Sequence, residues 1–261
     1  MALLPACGFE APAPTPGDDP EDPYPGGAPP TDPTEPPSTA RHCSTTDTAL
    51  RLCLDFDDQT TIGSDGSTFN NPATCTAITR MPRSHDGVTE QAGLLSPTSR
   101  MTVAESADLD IASNLTMTMW ARPMGYPKRG NAYWLLDNNR QYFAQYLPNG
   151  KFRCGIGTTT VDAEVGVQEN RWYHVACTFD QSTSSLRVYV NGHLAGCRAI
   201  ATPIPIDGTE GISIGSNLDA GETFSQPFVG GLDNIQVFNR TFTSSEVCGD
   251  ASNSGCWASC L

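Results

Sequence analysis

An all-β fold of two antiparallel sheets packed face to face is what this sequence predicts, and three observations carry it. Twenty-one prolines and 24 glycines stand against 17% charged residues, a composition of many turns and few helices. Short runs alternate apolar and polar residues with the period of two that marks half-buried strands. No stretch sustains the 3.6-residue period of a long amphipathic helix. At 261 residues, 38% hydrophobic and 8% aromatic, the chain is large enough for a real core.

The elements follow in order. Leu4-Pro5-Ala6-Cys7-Gly8 resembles a bacterial lipobox, in which a small residue precedes the cysteine that carries lipid. A basic leader and a long hydrophobic run are lacking upstream, so residues 1–7 read as a truncated lipoprotein signal with Cys7 as the lipidation site. From Gly8 to His42 prolines recur every two to four residues with almost nothing to bury. That is a disordered Pro/Asp-rich linker, extended at about 3.1 Å per residue. The folded domain is expected over residues 43–249, with a cysteine-containing tail over 250–261.

Within the domain, ALRLCLDFDD places Leu50, Leu52 and Leu54 on one side of a strand. A looser Gly/Asn/Pro-rich stretch follows. Further strands are read in SRMTVAES, LTMTMWARP, AYWLLD, RQYFAQYL and KFRCGIG, the last two joined by a hairpin at Pro148-Asn149-Gly150. In RWYHVACTFDQSTSSLRVYVNGHLAGC, Tyr173, Val175, Cys177 and Phe179 point one way and Leu186, Val188, Val190 continue the alternation. Asn191-Gly192 then supplies the two positive-φ positions of a tight hairpin, so three antiparallel strands succeed one another. His174 sits among them with no acid or nucleophile at a spacing that would orient it, and reads as a hydrogen-bonded sheet histidine rather than a catalyst. GISIGS and GGLDNIQVFNR supply the last strands. Thr243 and Glu246 have capping-box spacing for one short helical turn.

Charge and cysteine content narrow the function. A formal charge of −14 repels phosphate backbones, which removes nucleic acid as a partner. Seven acids against Arg41 lie between Gly8 and His42, leaving about −8 for the remainder, a modest acidity suited to divalent cations or neutral ligands. Ten cysteines without a CxxC pair or Cys/His cluster point to disulfides in an oxidising compartment rather than to zinc. With Cys7 lipidated, nine remain. Cys43, Cys53, Cys154, Cys177, Cys197, Cys248, Cys256 and Cys260 are the disulfide candidates, and Cys154, Cys177 and Cys197 could include one cross-strand bridge. No apolar run reaches the length of a membrane-spanning helix, so membrane attachment would be through lipid only.

Three segments together resemble the LamG-like, concanavalin A-like jelly roll of bacterial surface proteins. They are SADLDIASNLTMTMWARP (106–123), NRWYHVACTFDQSTSSLRVYVNG (170–192) and FVGGLDNIQVFNRTFTSSEV (228–247). They match a strand ending Trp-x-x-Pro, a tryptophan-led hairpin closed by Asn-Gly, and a last strand running Gly-x-x-Asp into an aromatic and Asn-Arg. The resemblance implies a jelly-roll sandwich over roughly residues 49–247, with Trp120 and Trp172 as sandwich packing. It also implies a structural calcium held by an early Phe-Asp segment and a late aspartate, here Asp57, Asp58 and Asp233. If first and last strands lie side by side, as the resemblance implies, Cys43 or Cys53 could reach Cys248, Cys256 or Cys260 and staple the termini.

The same fold hosts lectins, adhesive modules and glucanases. The glucanase strand Glu-x-Asp-x-x-Glu is absent, and Asp108/Asp110 and Asp162/Glu164 lie in turn-like contexts without a third acid in step. A sugar site would need exposed rings beside amides and carboxylates. Asp137, Asn138 and Asn139 with Tyr142 and Tyr146 offer that set, although the two rings equally fit packing between sheets. The expected function is a non-catalytic cell-surface module that recognises a glycan or a surface protein, at the outer cell surface and lipid-anchored. A structural or adhesive envelope component without a small ligand is the alternative, and a glycoside hydrolase comes third.

Overall fold

Alternation becomes layers in the computed structural model, which describes residues 43–57, 61–85, 88–206, 208–219, 223–251 and 256. In chain order the strands are β1 (Leu50–Leu54), β2 (Ala73–Thr76), β3 (Thr79–His85), β4 (Val88–Leu95), β5 (Arg100–Val103), β6 (Leu115–Pro123), β7 (Tyr133–Asn138), β8 (Tyr142–Tyr146) and β9 (Phe152–Ile156). They continue as β10 (Thr159–Asp162), β11 (Tyr173–Asp180), β12 (Ser185–Val190), β13 (His193–Ala199), β14 (Ile212–Ile214), β15 (Asn217–Asp219), β16 (Thr223–Ser225) and β17 (Gly230–Phe238), followed by helix α1 (Ser244–Asp250). One large sheet has the order β13-β12-β11-β6-β17-β4-β3, with β1 also paired to β17. The facing sheet has the order β10-β9-β8-β7-β14-β5-β2, and β15 and β16 form a separate ribbon. Every pairing between named strands is antiparallel. This is the two-sheet antiparallel sandwich the sequence predicts.

The core lies between the sheets. Met117, Met119 and Ala121 of β6, Val175, Cys177 and Phe179 of β11, and Leu186, Val188 and Val190 of β12 face Tyr142, Ala144 and Tyr146 of β8 and Phe152, Cys154 and Ile156 of β9. Each large side chain so buried contributes about 1.5–3 kcal/mol. The Cys154–Cys177 disulfide crosses this layer and ties the two sheets together.

A second, smaller cluster covers the other face of the first sheet. Cys43, Leu50, Cys53, Ala176, Tyr189, Phe238, Phe242 and Val247 form it. It brings the start of the domain and α1 together, as the side-by-side placement of β1 and β17 requires. Arg240 reinforces the contact, bonding Asp47 at 3.0 Å and Glu246 at 2.7 Å. The termini are joined by packing and not by sulfur, which corrects the expected staple: the bridges are Cys43–Cys53 and Cys248–Cys256, each local in sequence. Residues on either side of one small cluster need no covalent link to stay in register. Cys197 lies half-buried on β13, and Cys75, passed over in the sequence reading, is a free thiol. Cys7, Asp58, Cys260 and the 8–42 linker lie outside the described residues.

The capping box forms: Thr243 Oγ1 accepts from Glu246 N, and Glu246 Oε2 accepts from Thr243 N at 2.8 Å. The helix runs seven residues, longer than the single turn expected, because Val247 packs into the small cluster. Strands β2, β3, β4 and β10 were left as loop by the sequence reading; all but β4, which lies between β17 and β3, are sheet edges. Edge strands need bury only one flank, so β3 tolerates Pro82 and polar residues that obscure its alternation.

Candidate functional site

Four groups of side chains were marked by the sequence, and each has a definite place. His174 is buried, and its ring packs edge-on against Trp120 at 5.5 Å. Its Nε2 lies 2.9 Å from Asp250 Oδ2. An acid does orient it, therefore, but one delivered by α1 from 76 residues away, invisible to sequence spacing. The histidine fastens the helix to the sheet.

Of the residues nominated for calcium, Asp57 and Asp233 are described, and the charge of Asp57 acts on Asp233. Asp233 is 1% exposed and meets Arg83, 3% exposed, at 2.7 Å. Burial pushes the Asp233 carboxyl up to about 8, against the downward pull of the guanidinium. Asp57 accepts the Gln91 N–H at 2.8 Å. Arg83 thus sets a positive charge directly beside Asp233. Its guanidinium lies 4.4 Å from the Trp120 ring centroid and 5.3 Å from that of Trp172. The two tryptophans thus pack around an arginine on the outer face of the first sheet, rather than between the sheets as expected. Among the described residues no group of three or more His, Cys, Asp or Glu is placed to hold a metal.

The expected sugar platform is also corrected. Tyr142 and Tyr146 are 0% exposed, both inside the sandwich core. Asp137 and Asn138 are buried as well, and Asp137 Oδ1 is occupied by Arg140 N at 2.9 Å. Asn139, at φ 41°, shapes the turn. Period-two alternation puts Tyr142 and Tyr146 on the same side as Ala144, and that side is the core.

The opposite side of the same strand builds a cleft. Gln145 of β8 stands in register with Arg153 of β9, and Arg153 with Asp162 of β10. These three make a polar row across the outer face of the second sheet. The Pro148-Asn149-Gly150 turn closes one flank, with Gly150 at φ 75° and its N–H bonded to Leu147 O at 3.0 Å. Gly130, Asn131 and Ala132, before β7, close the other. Gln226 completes a concavity of about 480 Å³.

Its polar groups are held in place. Arg153 Nε and Nη2 bond the two Asp162 oxygens at 2.5 and 2.9 Å, a bidentate pair. Hydrogen bonding to Asp162 raises the guanidinium pKa above its usual range, against burial. Trp134 Nε1 donates to Gln226 Oε1 at 2.8 Å, fixing which end of that amide is free. Asn149 Oδ1 accepts from Lys151 N at 3.2 Å. Below the row, Phe143 lies over Gly155 so closely that a Cβ there would come 2.0 Å from the ring. The wall therefore offers four carboxamides (Asn131, Gln145, Asn149, Gln226) and one neutralised ion pair, whose Asp162 is its single carboxylate. Tyr126, 47% exposed, stacks on Tyr146 at 5.9 Å and stands against Gly150.

Sequence reasoning missed Arg153 and Gln145 because β10 was not recognised. The available signal was opposite charge nine residues apart across a hairpin.

The model of the Laminin_G_3 family, described as concanavalin A-like lectin/glucanases superfamily, matches residues 96–248. The chain belongs to this family. Solved structures agree with the fold of this Laminin_G_3 domain. Domain 4 of AbnA, a GH43 extracellular arabinanase from Geobacillus stearothermophilus, in complex with arabinotriose, superposes with TM-score 0.59 at 18% identity, covering 77% of this chain and 98% of that one. The binding domain of Paraclostridial Mosquitocidal Protein 1 gives TM-score 0.60 at 18% identity, over 78% of this chain and 52% of that one. The binding domain of botulinum neurotoxin serotype G gives 0.56 at 14%, over 77% and 50%. The chain thus spans about half the length of the two toxin domains. A comparison with curated protein sequences finds no match.

Proposed function

We propose that this Laminin_G_3 domain is a non-catalytic module that binds a neutral glycan in the cleft on the outer face of the second sheet. The observation that carries the reading is the row Gln145, Arg153, Asp162, ringed by three further carboxamides. Carboxamides and a guanidinium–carboxylate pair present fixed donors and acceptors to hydroxyl groups. Because Arg153 and Asp162 cancel each other, the cleft rewards a hydroxyl-rich, uncharged ligand over an anionic one. Glycosidases of the usual kind set two carboxyl groups about the scissile bond, and the cleft wall has only Asp162. The arabinotriose complex of the AbnA domain supports oligosaccharide as the ligand class.

Three disulfides among the described residues suit an extracellular protein. In this reading the linker over 8–42 is a stalk and Cys7 its lipid anchor, which mass spectrometry of membrane fractions would detect as a diacylglyceryl adduct. A glycan array probed with the wild-type chain and with the Arg153→Ala/Asp162→Ala double variant tests the cleft. Retention of particular neutral oligosaccharides by the wild type, lost in the double variant, is expected. Silence across the array would favour the envelope-component alternative, and retention of anionic glycans alone would contradict the neutral-ligand reading.

A further inference from the structure

Positive charge is scarce in this chain, 15 Lys and Arg against 29 Asp and Glu, and it is unevenly placed. Its only two lysines, Lys128 and Lys151, and three of its arginines, Arg122, Arg129 and Arg171, lie on the loops and strand ends at one end of the sandwich. Arg122 is one residue from the end of β6, and its Nε donates to Asn170 O at 3.1 Å, next to Arg171. Asn170 N in turn donates to Pro123 O at 2.7 Å. Lys128 O accepts from Asn131 N at 2.9 Å in the turn before β7, and Lys151 leads from Gly150 into β9. Tyr126 bridges these loops. Its ring would lie 3.2 Å from a Cβ on Gly150, and its hydroxyl donates to Val167 O at 3.4 Å. Val167 N donates to Gly150 O at 2.8 Å and Gln168 N to Tyr173 Oη at 3.0 Å, which ties this end of the second sheet to the first.

Lys128, Arg129 and Arg171 are exposed, and Arg122 and Lys151 half-buried. The acids on the same segments are Glu164 and Glu169, while Asp162 is held by Arg153. Five bases thus outweigh two acids, and a positive island stands on an otherwise acidic body. Tyr126 and Ile206 are the large apolar side chains exposed among the described residues, and Tyr126 lies in sequence between Arg122 and Lys128. An exposed ring among bases suits an extended segment that alternates carboxylates with prolines: the bases take the charge and the ring takes a proline.

This chain carries such a segment. Asp18-Asp19-Pro20-Glu21-Asp22-Pro23 places four acids in six residues, and prolines narrow the conformations open to a chain before it binds, which lowers the entropy lost on docking. From Asp22 to Cys43 the chain can reach about 65 Å at about 3.1 Å per residue, whereas the nine-residue β6 spans only about 30 Å. The tether also holds the acids at an effective concentration on the order of millimolar, which an untethered acidic partner would have to match. We propose that the acidic segment 18–23 docks on this basic end, its carboxylates on Lys128, Arg129, Lys151 and Arg171 and a proline on the Tyr126 ring. A contact between exposed charges weakens with salt, so the linker is folded back on the domain at low ionic strength and released at high. The docking does not rest on the glycan reading, since it needs no sugar.

Carbodiimide crosslinking of the purified full chain tests it, because the reagent joins a carboxylate to an amine in contact with it and only Lys128 and Lys151 carry side-chain amines. Peptide mapping of the monomeric product should find Asp18, Asp19, Glu21 or Asp22 joined to Lys128 or Lys151. The yield should collapse in about 1 M sodium chloride, where charge is screened within about 3 Å. It should fall roughly threefold or more in Arg129→Gln/Arg171→Gln, which alters two exposed side chains and keeps both lysines. Linker acids that join neither lysine overturn the docking. So do links found only between two chains, which would make this end a contact between copies, and a yield that salt and the arginine substitutions leave unchanged.

Discussion

Replacing Cys154 and Cys177 together by alanine removes the one covalent link between the two sheets among the described residues. Changing both avoids leaving a lone thiol in the core. The bridge joins residues 23 apart in sequence, and restricting a loop of that size in the unfolded chain is worth about 3.5 kcal/mol at 25 °C. Cys43–Cys53, at a separation of 10, restricts a smaller loop and is worth about 2.7 kcal/mol on the same relation. Both Cys154 and Cys177 are buried in the main core, so lost packing adds to the first figure. Urea unfolding monitored by tryptophan fluorescence should show a loss of about 3.5–5 kcal/mol, and thermal melting a fall of roughly 10 °C. The Cys43/Cys53 double variant should lose less. A drop under about 1 kcal/mol, or non-reducing peptide maps that pair Cys154 with any residue but Cys177, would refute the cross-sheet tie.

Three other perturbations have worked outcomes. Because burial raises the folded-state pKa of Asp233 to about 8, above that of an unfolded aspartate near 4, its stabilising share is complete below about pH 4. It is lost as pH rises towards 8, and Asp233→Asn should flatten that part of the stability–pH curve. Thr243→Ala removes half the capping box and should cost about 1 kcal/mol, read as a lower urea midpoint at unchanged slope. Gly155→Ala drives a Cβ into the Phe143 ring, costing about 1–3 kcal/mol, read as a lower urea midpoint.

Much of the architecture was legible because the central strands obey simple alternation. LTMTMWARP is β6 to the residue, and Asn191-Gly192 does close the β12–β13 hairpin. Thr243 and Glu246 cap α1 as their spacing requires. Edges hid themselves: β3 carries Pro82 and β10 is four residues long, and neither has to bury two flanks.

The site was harder to read for the same reason it exists. Aromatics drew attention to one side of β8, but Tyr142 and Tyr146 belong to the core, and the functional side carries the less conspicuous Gln145. Arg153 acquires its meaning only when β10 brings Asp162 beside it. Asp233 meets its partner only because Arg83, 150 residues away, arrives across β4. Long-range partners of this kind leave no trace in local spacing.

The most direct test of the glycan-binding account is a calorimetric titration of the wild-type chain and the Gln145→Ala/Arg153→Ala/Asp162→Ala variant with the best neutral oligosaccharide from the array. Chromatography of the mixture after prolonged incubation completes it. The account predicts wild-type binding weakened at least tenfold in the variant, equal melting temperatures to within about 2 °C, and oligosaccharide recovered intact. Equal affinity in the two proteins, or a shortened sugar in the wild-type tube, would contradict it.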